Sequence, residues 1–557
     1  MQRSCANAWC KKAFSVTDAD LAFYERVSPV FAGKKVLLPP PVRCPDCRLL
    51  RRAILRNERT LRRATCTACG KRTLSMYAAD SPFAAYCHDC WFSDRWDPLS
   101  FGQAFDPNRP FFEQFQELSR KVPRIAVLNP INENSDYCNF ADWNKNGYML
   151  INSNSNEDSF HSTLLLGSKN CMDCLWTKDS ELCYECVNVE KSYGVRHSLD
   201  CADCRDSAFL TDCRGCTQCI GCVNLRQKTL CIFNEPVSEN VYRETWLTLS
   251  SSEGREKFAK EYDAFLAKQP RIALHVQQSE GSTGEHIVRC KNVRESFDIF
   301  DCRDCAYCDT VMILSDCYDM HTSVKAELCI ENVSFIGYHC GFSAFCRHPK
   351  DAWYSWDCHN TTNVFGCIGL KQKTYCILNR QYTKDEYERL VLQIAEKMKE
   401  DGEWGQFFPE YLSAFGYNET VADEYEPLSK EDILHRELPW HERHDEQPAV
   451  EKIIPGSSVP DTIDETPDDI LDWAISCDAT GRPFRIIKQE LAYYRKHSLP
   501  APHLHPDERH KRRLQKRTAR KLFMRTCDNC HKEMTSHYAP GRKEKVLCEE
   551  CYLREVY

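Results

Sequence analysis

Between Cys171 and Cys231 all eleven cysteines fall on a single register of every third residue. The 21 positions of that register hold Cys, Ser, Thr, Val and Leu, with Lys228 the one charge, and fifteen of the sixteen charged residues in the segment lie off it. A step of three is neither the helical period of about 3.6 nor the strand period of about 2. It predicts a narrow β-solenoid whose coil length is a multiple of three, with each third side chain entering a bore that admits only small residues. The polar composition and 26 prolines leave the expectation of several small cores, not one large enzyme core.

The pattern resembles the thin right-handed β-helix of beetle antifreeze proteins, which implies twelve-residue coils, although separations of 12, 15 and 18 recur almost equally among the cysteines. The solenoid is duplicated. Cys171, Glu181, Leu182 and Cys183 match Cys317, Glu327, Leu328 and Cys329 at an offset of 146. After a one-residue deletion, Gly221–Asn234 matches Gly366–Asn379 at an offset of 145. Each copy runs into a helix with a Ser or Thr cap and acids close behind, at Ser238-Glu239 and at Thr383 with Asp385 and Glu386. Such helices are expected to cover the open solenoid ends, where strand edges would otherwise stay unpaired. The solenoids and their helices are assigned to 130–269 and 284–416. Their cysteines have three open roles: small apolar spacers, ligands where pairs such as Cys201/Cys204 and Cys213/Cys216 stack, or disulfides. The narrow bore favours spacers.

The two ends of the chain match each other. Cys66-x2-Cys69, seventeen residues, then Cys87-x2-Cys90 is answered by Cys527-x2-Cys530, seventeen residues, then Cys548-x2-Cys551. Two such pairs bring four thiolates onto one tetrahedral Zn²⁺, and a strand pair through 71–77 and 82–86 is expected to face the second pair to the first. Upstream, Cys5 and Cys10 with Cys44 and Cys47, the latter pair opening a helix, resemble a treble-clef finger. The C-terminal copy of that finger has Thr480, His505 and Glu508 where the first has Cys10, Cys44 and Cys47, and its lone Cys477 completes no site. The expectation is a multidomain chain: treble-clef and zinc-ribbon modules at both ends (1–64 and 65–125; 468–557 with a degenerate first finger), the two solenoids, an acidic linker at 417–467, and three Zn²⁺.

Thirty-six cysteines with no apolar run of about 18 residues and no apolar stretch after the first Met predict reduced thiols in a cytoplasmic protein without a membrane segment. The net charge of −8 suggests no partner, but its distribution does. Arg48, Arg51, Arg52, Arg56, Arg59, Arg62 and Arg63 cluster after Cys47. Arg509, Lys511, Arg512, Arg513, Lys516, Arg517, Arg520, Lys521 and Arg525 occupy the same place in the C-terminal module. A basic helix beside a zinc ribbon would neutralise phosphates of RNA or DNA, with His88, Trp91, Phe92 and Trp96 near enough to stack on bases. The competing reading is a protein scaffold in which these helices dock acidic segments, including the seventeen acids between Asn418 and Asp472. No P-loop, GxSxG or HExxH occurs, and no small-molecule substrate is evident. His339, His348 and His359 near Cys340, Cys346 and Cys358 read as packed residues, and Cys138 and Cys477 lack a base partner. A metal-cluster redox or hydrolytic enzyme on solenoid cysteines is the third alternative.

Arg56-Asn-Glu-Arg59, Asp94-Arg-Trp-Asp-Pro98, Pro110-Phe-Phe-Glu-Gln-Phe115 and Gly369-Leu-Lys-Gln-Lys-Thr-Tyr-Cys-Ile-Leu-Asn379 resemble an uncharacterised zinc-ribbon family of candidate-phyla bacteria. The resemblance implies zinc binding and a cytoplasmic bacterial protein, and brings no activity with it.

Overall fold

Two columns of short parallel strands occupy the middle of the computed structural model, which describes residues 1–442 and 448–556. In the first column each bridging residue pairs with the one twelve further on. Lys145 meets Glu157, which meets Lys169, which meets Glu181, which meets Tyr193. Strands Thr163–Leu166, Leu175–Lys178, Val187–Glu190 and Leu199–Ala202 stack in the same register. Of the three cysteine spacings, twelve is the one realised between neighbouring strands.

Each triplet divides its labour. Tyr184 bridges to Arg196, Glu185 takes a left-handed backbone (φ 54°), and Cys186 is fully buried. Left-handed φ is costly for most L residues, least so for Asn and Asp, and costs Gly nothing. Asp173, Asp179, Asn188, Asp200, Gly194 and Gly221 all stand at such positions. Charge therefore avoids the register for two reasons: the buried column interior excludes it and the left-handed positions recruit Asp.

Buried hydroxyls and thiols of the register are bonded alike. Ser162 Oγ donates to the Phe160 carbonyl at 2.9 Å and accepts from the Cys174 N–H at 3.0 Å. Cys174 Sγ in turn points to the carbonyls of Met172 (3.4 Å) and Cys183 (3.5 Å). At the head of the first column the buried register also holds asparagine, which was not expected. Asn156 donates to Asn144 Oδ1 at 2.8 Å and Asn144 to Asn132 Oδ1 at 3.0 Å, a ladder in which each buried amide finds its partners.

The second column repeats this pattern from Gly284 to Ile377. The deletion inferred from the offsets is an eleven-residue coil, with Ala326 opposite Gly337 and Ile330 opposite Gly341. The helices after the columns, Glu239–Thr248 with Ser252–Leu266 and Lys384–Glu400, do start at Ser238, Ser251 and Thr383 caps. The last strand edge, however, is taken by a short antiparallel return (Cys231 with Pro236, Cys376 with Gln381). After the first column, the helices pack Tyr242, Phe258 and Tyr262 on outward side chains such as Phe209 and Val223. They flank that column, contrary to the expected end cap.

The terminal modules cross over. The N-terminal module sets its basic helix, Pro45–Ala53, on the second column, and the C-terminal module sets Pro506–Gln515 on the first. The acidic stretch is only partly a linker. Tyr417, Val421 and Ile433 are buried in the main core, and Lys452–Pro455 joins Trp473–Ser476 and Pro483–Phe484 in a three-stranded sheet of the C-terminal module. Residues 443–447 of that stretch lie outside the described residues.

Candidate metal centres and the basic helices

The four-cysteine sets assemble as their spacing requires. Cys5, Cys10, Cys44 and Cys47 form one; Cys66, Cys69, Cys87 and Cys90 the second; Cys527, Cys530, Cys548 and Cys551 the third, with all sulfurs of a set within 4.8 Å of one another. Cys10 and Cys44 lie 3.8 Å apart, Cys69 and Cys87 3.9 Å, Cys530 and Cys548 3.8 Å. A tetrahedron with metal–sulfur arms of about 2.3 Å has edges of about 3.8 Å, so the donors fit a tetrahedral metal ion.

One knuckle builds the two C-x2-C sets, and a longer turn, with Cys5 N–H on the Lys12 carbonyl at 2.8 Å, builds the first finger. Cys66 N–H bonds the Lys71 carbonyl and Gly70 N–H the Cys66 carbonyl, both at 2.9 Å; Cys527, Lys532 and His531 repeat this at 2.9 and 3.0 Å. The turn needs a left-handed residue, supplied by Gly70 (φ 73°), His531 (φ 59°) and, in the first finger, Lys11 (φ 52°). The second ligand pair follows at a helix start: Cys44 and Cys87 are N-caps. Burial raises the Cys66 and Cys527 thiols. The N–H groups of Cys87, Cys69 and Ala68 outweigh it for Cys66, and those of Cys530, Cys548 and Asn529 for Cys527, drawing each to about 6. The Cys47 thiol draws Cys44 to about 5. Thiolate is thus available at neutral pH.

The strand pairing differs from expectation. Arg62–Thr65 pairs antiparallel with Arg72–Ser75, around the first ligand pair, as Phe523–Thr526 does with Glu533–Ser536. Ala85–Tyr86 instead lies parallel to Arg124–Ile125, the lead into the first column, and Val546–Leu547 lies parallel to Arg271–Ile272, the lead into the second. In the degenerate finger the knuckle survives, with Cys477 N–H on the Arg482 carbonyl at 2.9 Å, but no ligand set forms there among the described residues.

The column cysteines are buried and free, and no three of their sulfurs come within 4.8 Å of one another among the described residues. This is the spacer geometry.

The basic helices require a correction. Arg48, Arg51, Arg52, Arg56, Arg509 and Arg513 are buried and cannot reach a phosphate. Spacings of three and four place them on one helix face, and that face meets carboxylates. Arg48 Nε and Arg52 Nη1 lie 2.9 and 3.1 Å from Asp319 Oδ1, and Arg51 lies 3.0 Å from Glu331. In the other half Arg509 pairs with Asp173, and Arg513 lies 2.9 Å from it. The match is residue for residue: Arg48 and Arg52 correspond to Arg509 and Arg513 at the module offset, and Asp319 to Asp173 at the column offset. Arg56 stacks 3.8 Å above the Phe140 ring and bonds Glu58.

Most of the remaining cations are also paired internally: Arg59 with Asp507 (3.5 Å), Arg62 with Glu419, Arg512 with Glu508 (3.6 Å), Arg517 with Asp298, Arg520 with Asp298 (3.0 Å) and Asp309, and Arg525 with Asp528 (3.2 Å). Arg63, Lys511, Arg512, Lys516 and Lys521 are exposed. Trp91 is buried beneath Lys371, whose Nζ lies 4.5 Å from its ring, and packs 5.3 Å from His359, so it stacks on protein. His339 bonds Asp351 at 2.5 Å.

The sequence reading missed the acceptors, Asp173, Asp319 and Glu331. Their signal was present, since Asp173 and Asp319 sit at matching left-handed positions of two duplicated coils. Between the modules lies a cleft of about 1610 Å³, lined by both signs of charge (Arg59, Arg62, Lys511, Glu419, Asp507) and by Tyr137 and Tyr148.

No family model and no curated protein matches the chain. Among solved structures, one described as a "putative acetyltransferase" from Desulfovibrio desulfuricans G20 is 9% identical, with a TM-score of 0.10 over 49% of this chain and 81% of that one. Neither fold nor activity is drawn from that likeness. Among the described residues, no helix is long and apolar enough to cross a membrane.

Proposed function

We propose that this is a non-enzymatic, zinc-binding scaffold of the cytoplasm. In this reading two narrow β-solenoids are held side by side by terminal zinc-ribbon modules, and the cleft between the modules receives a protein segment of mixed charge. The observation that carries it is the matched docking of Arg48 and Arg52 on Asp319 and of Arg509 and Arg513 on Asp173. Basic helices spent on internal pairs serve assembly. The twelve-residue register supports the solenoid, the thiolate tetrahedra support zinc, and 36 free cysteines support a reducing compartment. A photo-crosslinking residue at Tyr137 or Tyr148 tests the cleft. Capture of one discrete protein that survives nuclease supports the scaffold, whereas capture of nucleic acid alone, or of nothing, sinks it.

One observation favours nucleic acid as a second reading. Lys511, Arg512, Lys516 and Lys521 face outward on the C-terminal module, where the N-terminal copy has Leu50, Arg51, Leu55 and Thr60. A filter-binding titration of single-stranded RNA across salt decides it. Affinity that falls with salt and is lost on reversing Lys511, Lys516 and Lys521 to Glu supports this reading.

A further inference from the structure

Five ligating side chains from three distant parts of the chain converge at the head of the second column. Asp200 comes from the first column, His275, Glu285 and His286 from the start of the second, and His537 from the C-terminal module. Glu285 Oε1 lies 2.6 Å from His275 Nδ1, 3.3 Å from His537 Nδ1 and 3.5 Å from His286 Nδ1. His286 Nε2 lies 3.3 Å from Asp200 Oδ1. The Asn188 amide nitrogen is 2.7 Å from Asp200 Oδ1 and 2.8 Å from His286 Nε2, and Thr518 Oγ1 is 2.6 Å from His537 Nδ1. His275, Glu285 and His537 are buried, and His537 Nε2 has no hydrogen-bond partner among the described residues.

The internal duplication supplies a control. At the head of the first column the same junction is made by Leu128, Asn139, Phe140, Phe345 and Met76. Leu128 N–H donates to Asn139 Oδ1 at 3.1 Å as His275 N–H donates to Glu285 Oε2 at 2.9 Å. Phe140 and Phe345 pack with ring centres 5.9 Å apart where His286 meets Asp200. Met76 and Leu128 are simply part of the apolar core. The junction can therefore be closed without imidazoles or carboxylates, and the second copy has replaced packing by three nitrogen and two oxygen ligands.

We propose that His275, Glu285 and His537 bind one divalent transition-metal ion of the zinc class, with His286 in reach as a fourth ligand and Asp200 beside it. The two sets of three whose ligand atoms lie within 4.8 Å of one another, Asp200/His275/His286 and His275/Glu285/His537, share His275. Imidazole and carboxylate together suit zinc, cobalt or nickel ahead of calcium or magnesium. Charge points the same way. Two carboxylates facing these imidazoles carry negative charge that one divalent ion would offset. The ion would tie the first column, the second column and the C-terminal ribbon at one point.

The test is metal content of the full chain by atomic emission, with X-ray absorption at the zinc edge. The expected result is one zinc beyond the three four-cysteine sites, with nitrogen or oxygen neighbours beside sulfur. His275→Gln should return the count to the four-cysteine sites and the spectrum to sulfur alone. Should that variant fail to fold, cobalt titration of the wild-type protein decides. After thiolate charge-transfer absorption saturates, one further equivalent should add weak visible bands only. Zinc bound by sulfur alone in the wild type, an unchanged count in His275→Gln, or no further cobalt equivalent each overturns the proposal.

Discussion

The N-terminal module on the second column and the C-terminal module on the first do the same mechanical job with different materials. In the N-terminal module the first finger is a small cluster of Phe14 and Val16 around Cys5, Cys44 and Cys47. In the C-terminal module the corresponding finger has lost its ligand set, and Ile475, Cys477, Phe484 and Ile486 pack instead with Val459, Ile463 and Ile470 from the segment ahead of it. A four-cysteine set fit for a metal ion and a modest apolar cluster thus stand at the same place in one fold, where a small module needs support beyond its own core. The clasp itself was kept on both sides: one buried Asp of a column between two arginines of a helix.

The largest effect should separate the two kinds of support. Structural zinc contributes on the order of 10 kcal/mol to a small module. Cys47→Ser is expected to release one metal and unfold the first finger, and Cys530→Ser to release one metal and free the C-terminal hairpin. Cys477→Ser, in the finger held by apolar packing, should leave metal content unchanged. Metal analysis with hydrogen exchange on the three variants reads this directly. A metal lost from Cys477→Ser would show that the C-terminal finger is not degenerate.

The clasps come next. Asp319→Ala leaves Arg48 and Arg52 buried without their shared carboxylate, and Asp173→Ala does the same to Arg509 and Arg513. Breaking a buried pair by removing one partner costs about 3–5 kcal/mol. Hydrogen exchange should rise in the helix Pro45–Ala53 for the first variant and in Pro506–Gln515 for the second. If Asp319→Ala loosened the C-terminal helix instead, the crossed arrangement would be wrong.

A third comparison depends on pH. Glu490 of the C-terminal module lies 3.1 Å from His161 of the first column and 3.5 Å from Arg509. Burial raises its carboxyl, but His161 and Arg509 outweigh that and bring it to about 2. A depressed carboxylate contributes stability that is present above the ordinary value near 4.5 and lost as pH falls toward 2. The contribution is about 3 kcal/mol. Its N-terminal counterpart, Asp20, meets Arg294 and Tyr307 of the second column and is also held low, against its burial, by the Thr17 N–H and Arg294. Wild type should exceed Glu490→Gln in melting temperature above pH 5, and the gap should close by pH 2. A gap independent of pH would remove the charge from the explanation.

The fold was legible wherever a local rule repeats. The step of three announced the buried face of the parallel-strand columns, the deletion announced the eleven-residue spacing between Ala326 and Gly337, and paired C-x2-C spacings announced three four-cysteine sets. What stayed illegible was which surface met which. Eight arginines between Arg43 and Arg63 look the same to a reader of sequence whether they face phosphate or Asp319, because helical spacing shows a common face but not its neighbour. The strand partners of Ala85–Tyr86 and Val546–Leu547 were hidden for the same reason. Each pairs with a two-residue strand just before a column, too short to carry a pattern of its own. The His275 cluster joins residues as far apart as Asp200 and His537, with no spacing rule between them.

The smallest effect sharpens the contrast between cysteine as ligand and cysteine as spacer. Cys204 is a buried residue of the first column's three-residue register. Its N–H bonds Ser192 Oγ at 3.1 Å, and its sulfur points to the carbonyls of Ala202 at 3.4 Å and Cys213 at 3.5 Å. Ser192, twelve residues earlier in the same column, already donates to the Glu190 carbonyl at 2.9 Å, the bond a hydroxyl at 204 would make to Ala202. Cys204→Ser therefore buries a hydroxyl that has an acceptor waiting. It should cost about 1 kcal/mol, from a smaller atom and a modest polar transfer, where an orphaned hydroxyl would cost up to about 3 kcal/mol. Metal content should not change. Thermal melting and metal analysis, run beside Cys530→Ser, give the decisive contrast. Zinc lost from Cys204→Ser and retained by Cys530→Ser would reverse the assignment of ligands and spacers throughout the chain.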